Sequence, residues 1–187
     1  MLIIILRKIY SFFVDILQTL LLAAAVFLVI YVFLFRPFQV NGNSMYPNFF
    51  DKEYVLTNII SLRFEDPKLG DVIVFKAPQD PDKDYIKRVI GTPGDKMHIK
   101  DGSVYLNGKI LNESSYLDPS IKTNPGSFLK EDEEVIAAQD EYFVLGDNRS
   151  YSSDSREWGF VSKKDIVGES FFVYWPPFLF PVLTRQD

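Results

Sequence analysis

The longest apolar run of the chain lies near its N-terminus. From Ile16 to Phe35 only Gln18 and Thr19 are polar. A helix that crosses the hydrocarbon core of a bilayer needs about 20 predominantly apolar residues. The pattern therefore predicts a transmembrane helix in the first part of the chain.

The flanks of this run bear on its orientation and on whether it is retained. Arg7 and Lys8 precede it and favour a cytoplasmic N-terminus, although Arg36 follows it and reduces the charge difference. A cleaved signal peptide is the alternative, with the alanines at 23–25 as its small-residue site. The apolar run continues past those alanines, whereas the apolar part of a signal peptide is about 7–15 residues long. We expect an uncleaved anchor within residues 1–36.

After residue 36 the pattern changes to short apolar or alternating runs separated by Gly, Pro, Asn and Asp, which is typical of strands joined by turns. KDGS and LNGK have the composition of tight hairpin turns. No sustained helical periodicity follows the anchor. The runs predicted as strands are Phe38–Val40, Glu53–Leu56, Asp71–Phe75, Tyr85–Ile90, Lys96–Ile99, Ser103–Leu106, Glu141–Leu145 and Gly168–Trp175.

The predicted fold class is therefore mainly β, with the transmembrane helix followed by an antiparallel β domain that carries a small β excursion. Residues 37–95 and 140–187 are assigned to the main domain, and residues 96–139 to the small inserted β/loop region. Residues 112–134 within this insertion are polar and turn-rich. We interpret them as an excursion on the surface.

The composition of the chain excludes several classes of function and of site. The net charge of −5 and the pI near 5.0 argue against a nucleic-acid partner, which usually requires a basic excess. The chain has no cysteine, so thiol nucleophiles, disulfides and thiolate metal sites are excluded. It has one histidine, His98, so a His-rich metal site is excluded as well. We expect neither a metal nor a cofactor.

One predicted strand carries two cations among apolar residues. Alternation places Tyr85, Lys87 and Val89 on one face, and Arg88 on the other face with its apolar neighbours. Lys87 could simply protect an edge strand against unwanted pairing. It could also be held in apolar surroundings so that it loses its proton.

A serine in the segment just after the anchor is the natural partner for a neutral lysine. Ser44 lies between Gly42 and Pro47, and it could be an ordinary turn residue. A serine hydroxyl becomes nucleophilic only when a base removes its proton, and a neutral lysine can replace histidine in this role. His98 lies in a predicted hairpin strand and is a poor candidate for the base. The pKa of the lysine would have to fall by about 2–3 units from about 10.4.

Four sequence boxes follow the anchor in order, namely GNSMYP, LGDVIVF (Leu69–Phe75), DYIKRVIGTPGD (Asp84–Asp95) and GDNRSYSSDSREWGFV (Gly146–Val161). Boxes in this order after an anchor resemble those of bacterial signal peptidase I, a membrane-bound Ser-Lys protease family. The resemblance covers most of the chain, and a single anchor resembles the short branch of the family. The resemblance implies a catalytic β domain, cleavage of signal peptides from exported preproteins, and no cofactor. It also implies a plasma-membrane protein with its catalytic domain on the extracytoplasmic side.

The same resemblance implies roles for individual residues. Ser44 would be the nucleophile, Lys87 the general base and Ser152 the hydroxyl that helps to orient the lysine. Two ion pairs would be structural, namely Asp154 with Arg156 and Asp147 with Arg88.

The substrate would bind as an added strand between two edges. One edge is the segment Phe38–Gly42, which includes Val40, and the other contains Tyr85 and Ile86. Shallow pockets would select small residues, typically alanine, one and three positions before the cut.

Two positions depart from the family pattern. Some members carry a serine where this chain has Gly42, and threonine is usual where it has Asn48. If the segment approaching Ser44 is extended, Asn43 points away from the face that Gly42 and Ser44 share. We therefore expect backbone donors in the oxyanion hole, led by the N–H of Ser44, with Gly42 allowing close approach of the substrate and tolerating serine.

Other functions remain open at this point. Mitochondrial inner-membrane peptidases share the fold and the Ser-Lys pair, and a membrane-anchored β-rich binding module without catalysis would also explain the anchor. The soluble self-cleaving repressors of the DNA-damage response fit poorly, because this chain is acidic and has an anchor. Near the C-terminus, Trp175, Phe178 and Phe180 predict a contact with the lipid interface, where aromatic rings are favoured.

Overall fold

The computed structural model describes residues 2–175, except for the side chains at positions 2, 30, 32 and 33. Contacts divide the chain into two compact units, Met1–Arg36 and Pro37–Asp187. The predicted interface residues Phe178 and Phe180 lie outside the described residues. Trp175 ends the last strand and its side chain is exposed.

The first unit is a single helix, α1, over Leu2–Leu34. Its apolar candidate span covers Ile3–Val29, 27 residues with a mean hydropathy of 2.3, and its side chains are exposed as those of a lipid-facing helix would be. The sequence prediction started the span at Ile16, which is too late. Arg7 and Lys8 lie within the helix rather than before it, because the apolar residues ahead of them extend the helix towards the N-terminus.

The second unit is built from two antiparallel sheets, so the predicted fold class is confirmed. The strands are β1 Phe35–Gln39, β2 Tyr54–Asn58, β3 Val72–Ala77, β4 Asp80–Gly91, β5 Lys96–Lys100, β6 Ser103–Leu106, β7 Lys109–Ile110, β8 Glu134–Ile136, β9 Glu141–Leu145, β10 Val161–Ser162 and β11 Ile166–Trp175. A seven-stranded sheet has the order β1-β2-β11-β3-β4-β9-β10, and a four-stranded sheet has the order β7-β6-β5-β8. A single turn of helix, α2, covers Ser155–Trp158.

The predicted surface excursion over residues 112–134 contributes to the core, which corrects the sequence interpretation. Leu129 is fully buried and Leu117 almost so. Leu129 belongs to a cluster with Ile90 of β4 and Phe143 of β9. The segment is polar on average, but its few leucines are removed from water, and burying each such side chain contributes roughly 1.5–3 kcal/mol.

The pairing of β4 creates the feature on which the functional site is built. On one side, β4 pairs with β3 from Asp80 to Arg88. On the other side, it pairs with β9 only from Arg88 onward. The segment Asp84–Lys87 therefore has one edge without a β9 partner. An extended peptide can be added to such an edge through main-chain hydrogen bonds.

Candidate active site

Lys87 is buried in the segment of β4 that has no β9 partner, with 4% of its surface exposed. Its Nζ atom donates to Ser44 Oγ at 2.8 Å and to the carbonyl of Ile86 at 3.0 Å. It also lies 5.3 Å from the centre of the Tyr85 ring. A side chain in this position does not protect the strand edge in solvent, so the edge-protection interpretation is wrong.

Burial changes the protonation of this lysine. Removal from water lowers the pKa of Lys87 from 10.5 to about 8, against the opposing attraction of Asp154 and Asp147. Desolvation disfavours the charged form, so it is the dominant cause here. At pH 7 a group with this pKa is neutral in roughly one molecule in ten, against roughly one in three thousand for a solvated lysine.

Ser44 lies in a turn, not in the extended segment expected from the sequence. Gly42 has a φ of +90°, a backbone conformation that residues with a side chain rarely adopt. Its N–H donates to Asp51 Oδ1 at 2.7 Å. A Cβ at Gly42 would meet nothing within 4 Å. Gly42 is therefore required by backbone conformation rather than by space, and a serine there would be strained.

A cleft of about 210 Å³ leads away from Ser44 and Lys87. One wall is Phe38–Asn41 and the other is Asp84–Lys87, and both walls run in chain direction towards the serine and lysine. All four residues predicted to bind substrate line the cleft, namely Phe38, Val40, Tyr85 and Ile86. Sequence reasoning assigned no role to three further lining residues, Val55, Val74 and Ser153.

Arg88, on the opposite face of β4, binds a buried carboxylate. Its Nε and Nη2 atoms donate to the two oxygens of Asp147 at 2.8 and 2.7 Å, and its Nη1 donates to the carbonyl of Gly70. Asn48 adds a bond to the same carboxylate at 2.8 Å. Asp147 is fully buried, and a buried carboxylate requires partners of this kind. The guanidinium also lies 4.1 Å from the centre of the Tyr116 ring.

The second expected ion pair is also present. Arg156 donates to both oxygens of Asp154, at 2.7 and 2.9 Å. Asp154 Oδ2 accepts the N–H of Gly146 at 3.0 Å, so the pair secures the start of the loop after β9. Arg156 further binds the carbonyls of Asn124, Arg149 and Ser152.

Ser152 departs from its expected contact. Its hydroxyl is buried, yet it has no hydrogen-bond partner within the described residues. The expected bond to Lys87 is therefore absent from this structure. The hydroxyl occupies the space that a side chain on Gly146 would need.

A third buried ion pair was missed from the sequence. Arg149 pairs with Glu113 and also donates to Thr123 Oγ1 at 2.6 Å. Glu113 and Thr123 belong to the segment interpreted as a surface loop. A single glutamate in a polar, turn-rich stretch carries no signal that distinguishes it from its solvated neighbours, although Arg149 lies in the GDNR box.

Gly146 contributes to the site through its lack of a side chain. A Cβ at this position would lie 2.4 Å from the carbonyl oxygen of Ser44 and 2.2 Å from Ser152 Oγ. The loop and the turn of Ser44 are in direct contact there. His98, in contrast, lies in β5 of the small sheet and stacks on Tyr105 with ring centres 4.4 Å apart.

Comparison with known proteins identifies the family. The model of the signal peptidase family, peptidase S26, matches residues 13–175. Signal peptidase IB of Staphylococcus aureus strain COL is 34% identical over 176 residues, covering 87% of this chain and 91% of the relative. Signal peptidase I of Bacillus amyloliquefaciens is 35% identical over 162 residues, covering 85% and 86%. A crystal structure of a signal peptidase I from Enterococcus faecalis V583 shares 28% identity, with a TM-score of 0.46, and covers 56% of this chain and 97% of that one.

The chain belongs to the signal peptidase family, peptidase S26. It is accordingly a hydrolase, a serine protease of the family that removes signal peptides from preproteins. The apolar helix α1 fits a single-pass membrane anchor.

Gly146→Ala should displace the turn of Ser44, because the added methyl would overlap a backbone oxygen that cannot rotate away. We expect at least about a tenfold loss in kcat, since misplacement of reacting groups by about 1 Å can cost about a hundredfold in rate. Steady-state cleavage of a preprotein by the detergent-solubilised enzyme measures this. Ser150→Ala, at an exposed position of the same loop, is the control. Full activity of Gly146→Ala would show that the close contact is not required.

Lys87→Met should stabilise the fold in a pH-dependent way. The pKa of Lys87 is about 8 in the folded protein and 10.5 in the reference state. Between these values the unfolded chain holds the proton and the folded chain does not, so the stability of the parent enzyme rises with pH across this window. The gain from Lys87→Met should be about 3 kcal/mol below pH 8 and should vanish above pH 10.5.

Denaturant unfolding at pH 7 and at pH 10, followed by tryptophan fluorescence, measures this difference. Lys83→Met, which replaces an exposed lysine of the same strand, is the control. A gain for Lys87→Met that stays constant across the window would contradict the depressed pKa.

Proposed function

We propose that the chain cleaves signal peptides from exported preproteins with Ser44 as the nucleophile and Lys87 as the general base. The observation that carries this proposal is the 2.8 Å contact between Ser44 Oγ and a buried lysine Nζ whose pKa is lowered to about 8. A serine requires a base within hydrogen-bond distance, and a lysine can be that base only when it is neutral.

The chemistry then proceeds in two stages. Neutral Lys87 accepts the proton of Ser44 as Oγ attacks the scissile carbonyl, and the new ammonium passes a proton to the leaving amine. The signal peptide remains as an ester on Ser44. Lys87, neutral again, removes a proton from water, which attacks the ester. The ammonium then returns this proton to Ser44 Oγ as the signal peptide leaves. The same group serves as base and acid because its pKa lies near the working pH.

The cleft supports binding of the substrate as an added strand. Both walls, Phe38–Asn41 and Asp84–Lys87, run towards Ser44. A peptide whose residues before the cut lie between them would run parallel to both walls. Its main chain would use the free edge of β4, and short side chains such as alanine would suit the shallow cleft one and three positions before the cut.

The location follows from the anchor. We assign the chain to the plasma membrane as a single-pass protein, with its N-terminus in the cytoplasm and residues 37–187 on the extracytoplasmic side. Arg7 and Lys8 near the start of α1 support this orientation. The partners are then the signal peptides of exported preproteins and the lipid bilayer.

The alternative functions are less well supported. A binding module without catalysis has no use for a buried lysine in contact with a serine, since burying an unpaired cation costs stability. The relatives named above are bacterial, which favours a bacterial peptidase over an organellar one.

Substitution of the two proposed catalytic residues tests the function. Ser44→Ala and Lys87→Ala should each abolish nearly all cleavage of a preprotein in liposomes. Lys87→Arg should also be inactive, because a guanidinium stays protonated. His98→Ala is the matched control and should keep full activity. An equal loss in His98→Ala and Lys87→Ala would rule out the Ser-Lys assignment.

The pH dependence of cleavage tests the state of the lysine. Because the neutral form of Lys87 is required, kcat/KM should rise about tenfold per pH unit below pH 8 and level off above it. A peptide substrate without titratable side chains keeps the profile free of substrate ionisation. A profile that keeps rising to pH 10.5, the value of a solvated lysine, would show that burial is not what activates it.

A further inference from the structure

Asn148 holds both carbonyl groups that flank the Ser44 nitrogen and carbon, and the mechanism above does not use it. Its backbone N–H donates to the carbonyl of Ser44 at 3.0 Å. Its side-chain Nδ2 donates to the carbonyl of Asn43, also at 3.0 Å. One residue of the loop after β9 thus binds two consecutive peptide groups of the nucleophile turn.

The first of these peptide groups contains the N–H of Ser44. A trans peptide is planar, and its C=O and N–H point in opposite directions. The carbonyl of Asn43 is held by Asn148 and, at 3.2 Å, by the N–H of Tyr46. Because Asn148 directs this carbonyl towards the loop, the N–H of Ser44 points away from the loop. Within residues 2–175, this N–H has no hydrogen-bond acceptor.

Asn148 is itself held in place. On one side, Asp147 is fully buried and bound by Arg88. On the other side, Arg149 is buried and paired with Glu113. The carbonyl of Asn148 accepts the N–H of Tyr151 at 2.9 Å. A donor on a support of this kind can set the orientation of the turn it contacts.

We propose that Asn148 is a positioning residue for the oxyanion hole. Its side-chain amide orients the peptide between Asn43 and Ser44 so that the Ser44 N–H faces the substrate cleft. There the N–H donates to the oxygen of the scissile carbonyl as negative charge develops on it. This inference rests on the proposed function, because it requires Ser44 to be the nucleophile.

The side-chain amide of Asn148 is suited to this task in a way that the side chains of alanine and aspartate are not. Alanine at position 148 would lose the bond to the carbonyl of Asn43 but keep the backbone bond to Ser44. Aspartate would keep the volume but place an acceptor against an acceptor. The two variants therefore remove the same orienting bond by different means.

The test separates binding of the transition state from binding of the substrate. An oxyanion donor acts mainly once charge has developed, so its misorientation lowers kcat and leaves KM unchanged. For Asn148→Ala and Asn148→Asp we expect kcat to fall by about 10- to 100-fold, below or at the lower end of the loss for removing a donor outright. KM should stay within about twofold. Measurements belong on the plateau above pH 8, where a shift in the pKa of Lys87 has the least effect.

A pair of inhibitors gives a second readout. A peptide aldehyde ending in alanine forms a tetrahedral adduct with Ser44 and needs the hole, whereas the corresponding peptide alcohol binds only the cleft. The affinity for the aldehyde should fall in parallel with kcat, and the affinity for the alcohol should not change. Ser150→Ala, an exposed position of the same loop, is the control and should match the parent enzyme.

Distinct results would overturn the inference. An unchanged kcat in both Asn148 variants, or equal losses of affinity for aldehyde and alcohol, would contradict it. If Asn148→Ala unfolds, Asn148→Asp decides the matter, because it conserves the volume of the side chain. Retained activity of Ser44→Ala would instead refute the proposed function itself, so the two failures are distinguishable.

Discussion

The contact between buried Lys87 and Ser44 is the interaction on which the rest of the site depends. It works because burial dominates over two carboxylates, Asp147 and Asp154, that would otherwise keep the lysine charged. Each of these carboxylates binds its own guanidinium, from Arg88 and Arg156 respectively. The positive charge of each guanidinium therefore largely cancels the negative charge of the carboxylate that it binds. The ion pairs do not need to touch the lysine to influence its chemistry, since neutralising the surrounding field is sufficient.

The same pairs hold the loop after β9 against the turn of Ser44, and the small inserted region helps to secure it. Glu113 and Thr123 bind Arg149, and the carbonyl of Asn124 binds Arg156. Three arginines thus connect the loop to strand β4, to its own backbone and to the insertion. The insertion is part of the support of the site, although none of its residues lines the cleft beside Ser44 and Lys87.

The sequence predicted the large features of this molecule for physical reasons. The alternation of apolar and polar residues identified most of the longer strands. It also placed Lys87 and Arg88 on opposite faces of β4, and in the structure Lys87 contacts Ser44 on one face while Arg88 binds Asp147 on the other. The sequence prediction failed for features that leave no pattern in the local sequence. The two-residue strands β7 and β10 are too short to show a period. Leu129 follows Phe128 in a polar stretch and belongs to no apolar pattern until the fold places it in one cluster with Phe143. The contact of Gly146 with the Ser44 carbonyl joins segments about a hundred residues apart, so no local signal could reveal it.

Lys87 and Arg88 are adjacent on one strand, so the register of β4 determines which cation faces Ser44 as well as how the strand packs. A slip by one residue exchanges the faces of a strand, so it would turn Arg88 towards the serine and Lys87 towards the buried Asp147. The guanidinium would be an inert neighbour for the serine, and the lysine would be held in its charged form. Under the proposed mechanism, a misaligned β4 would yield a domain that is folded but inactive rather than one with reduced activity. The bidentate pairing of Arg88 with Asp147 penalises that state, because the single ammonium of a lysine cannot reproduce both bonds.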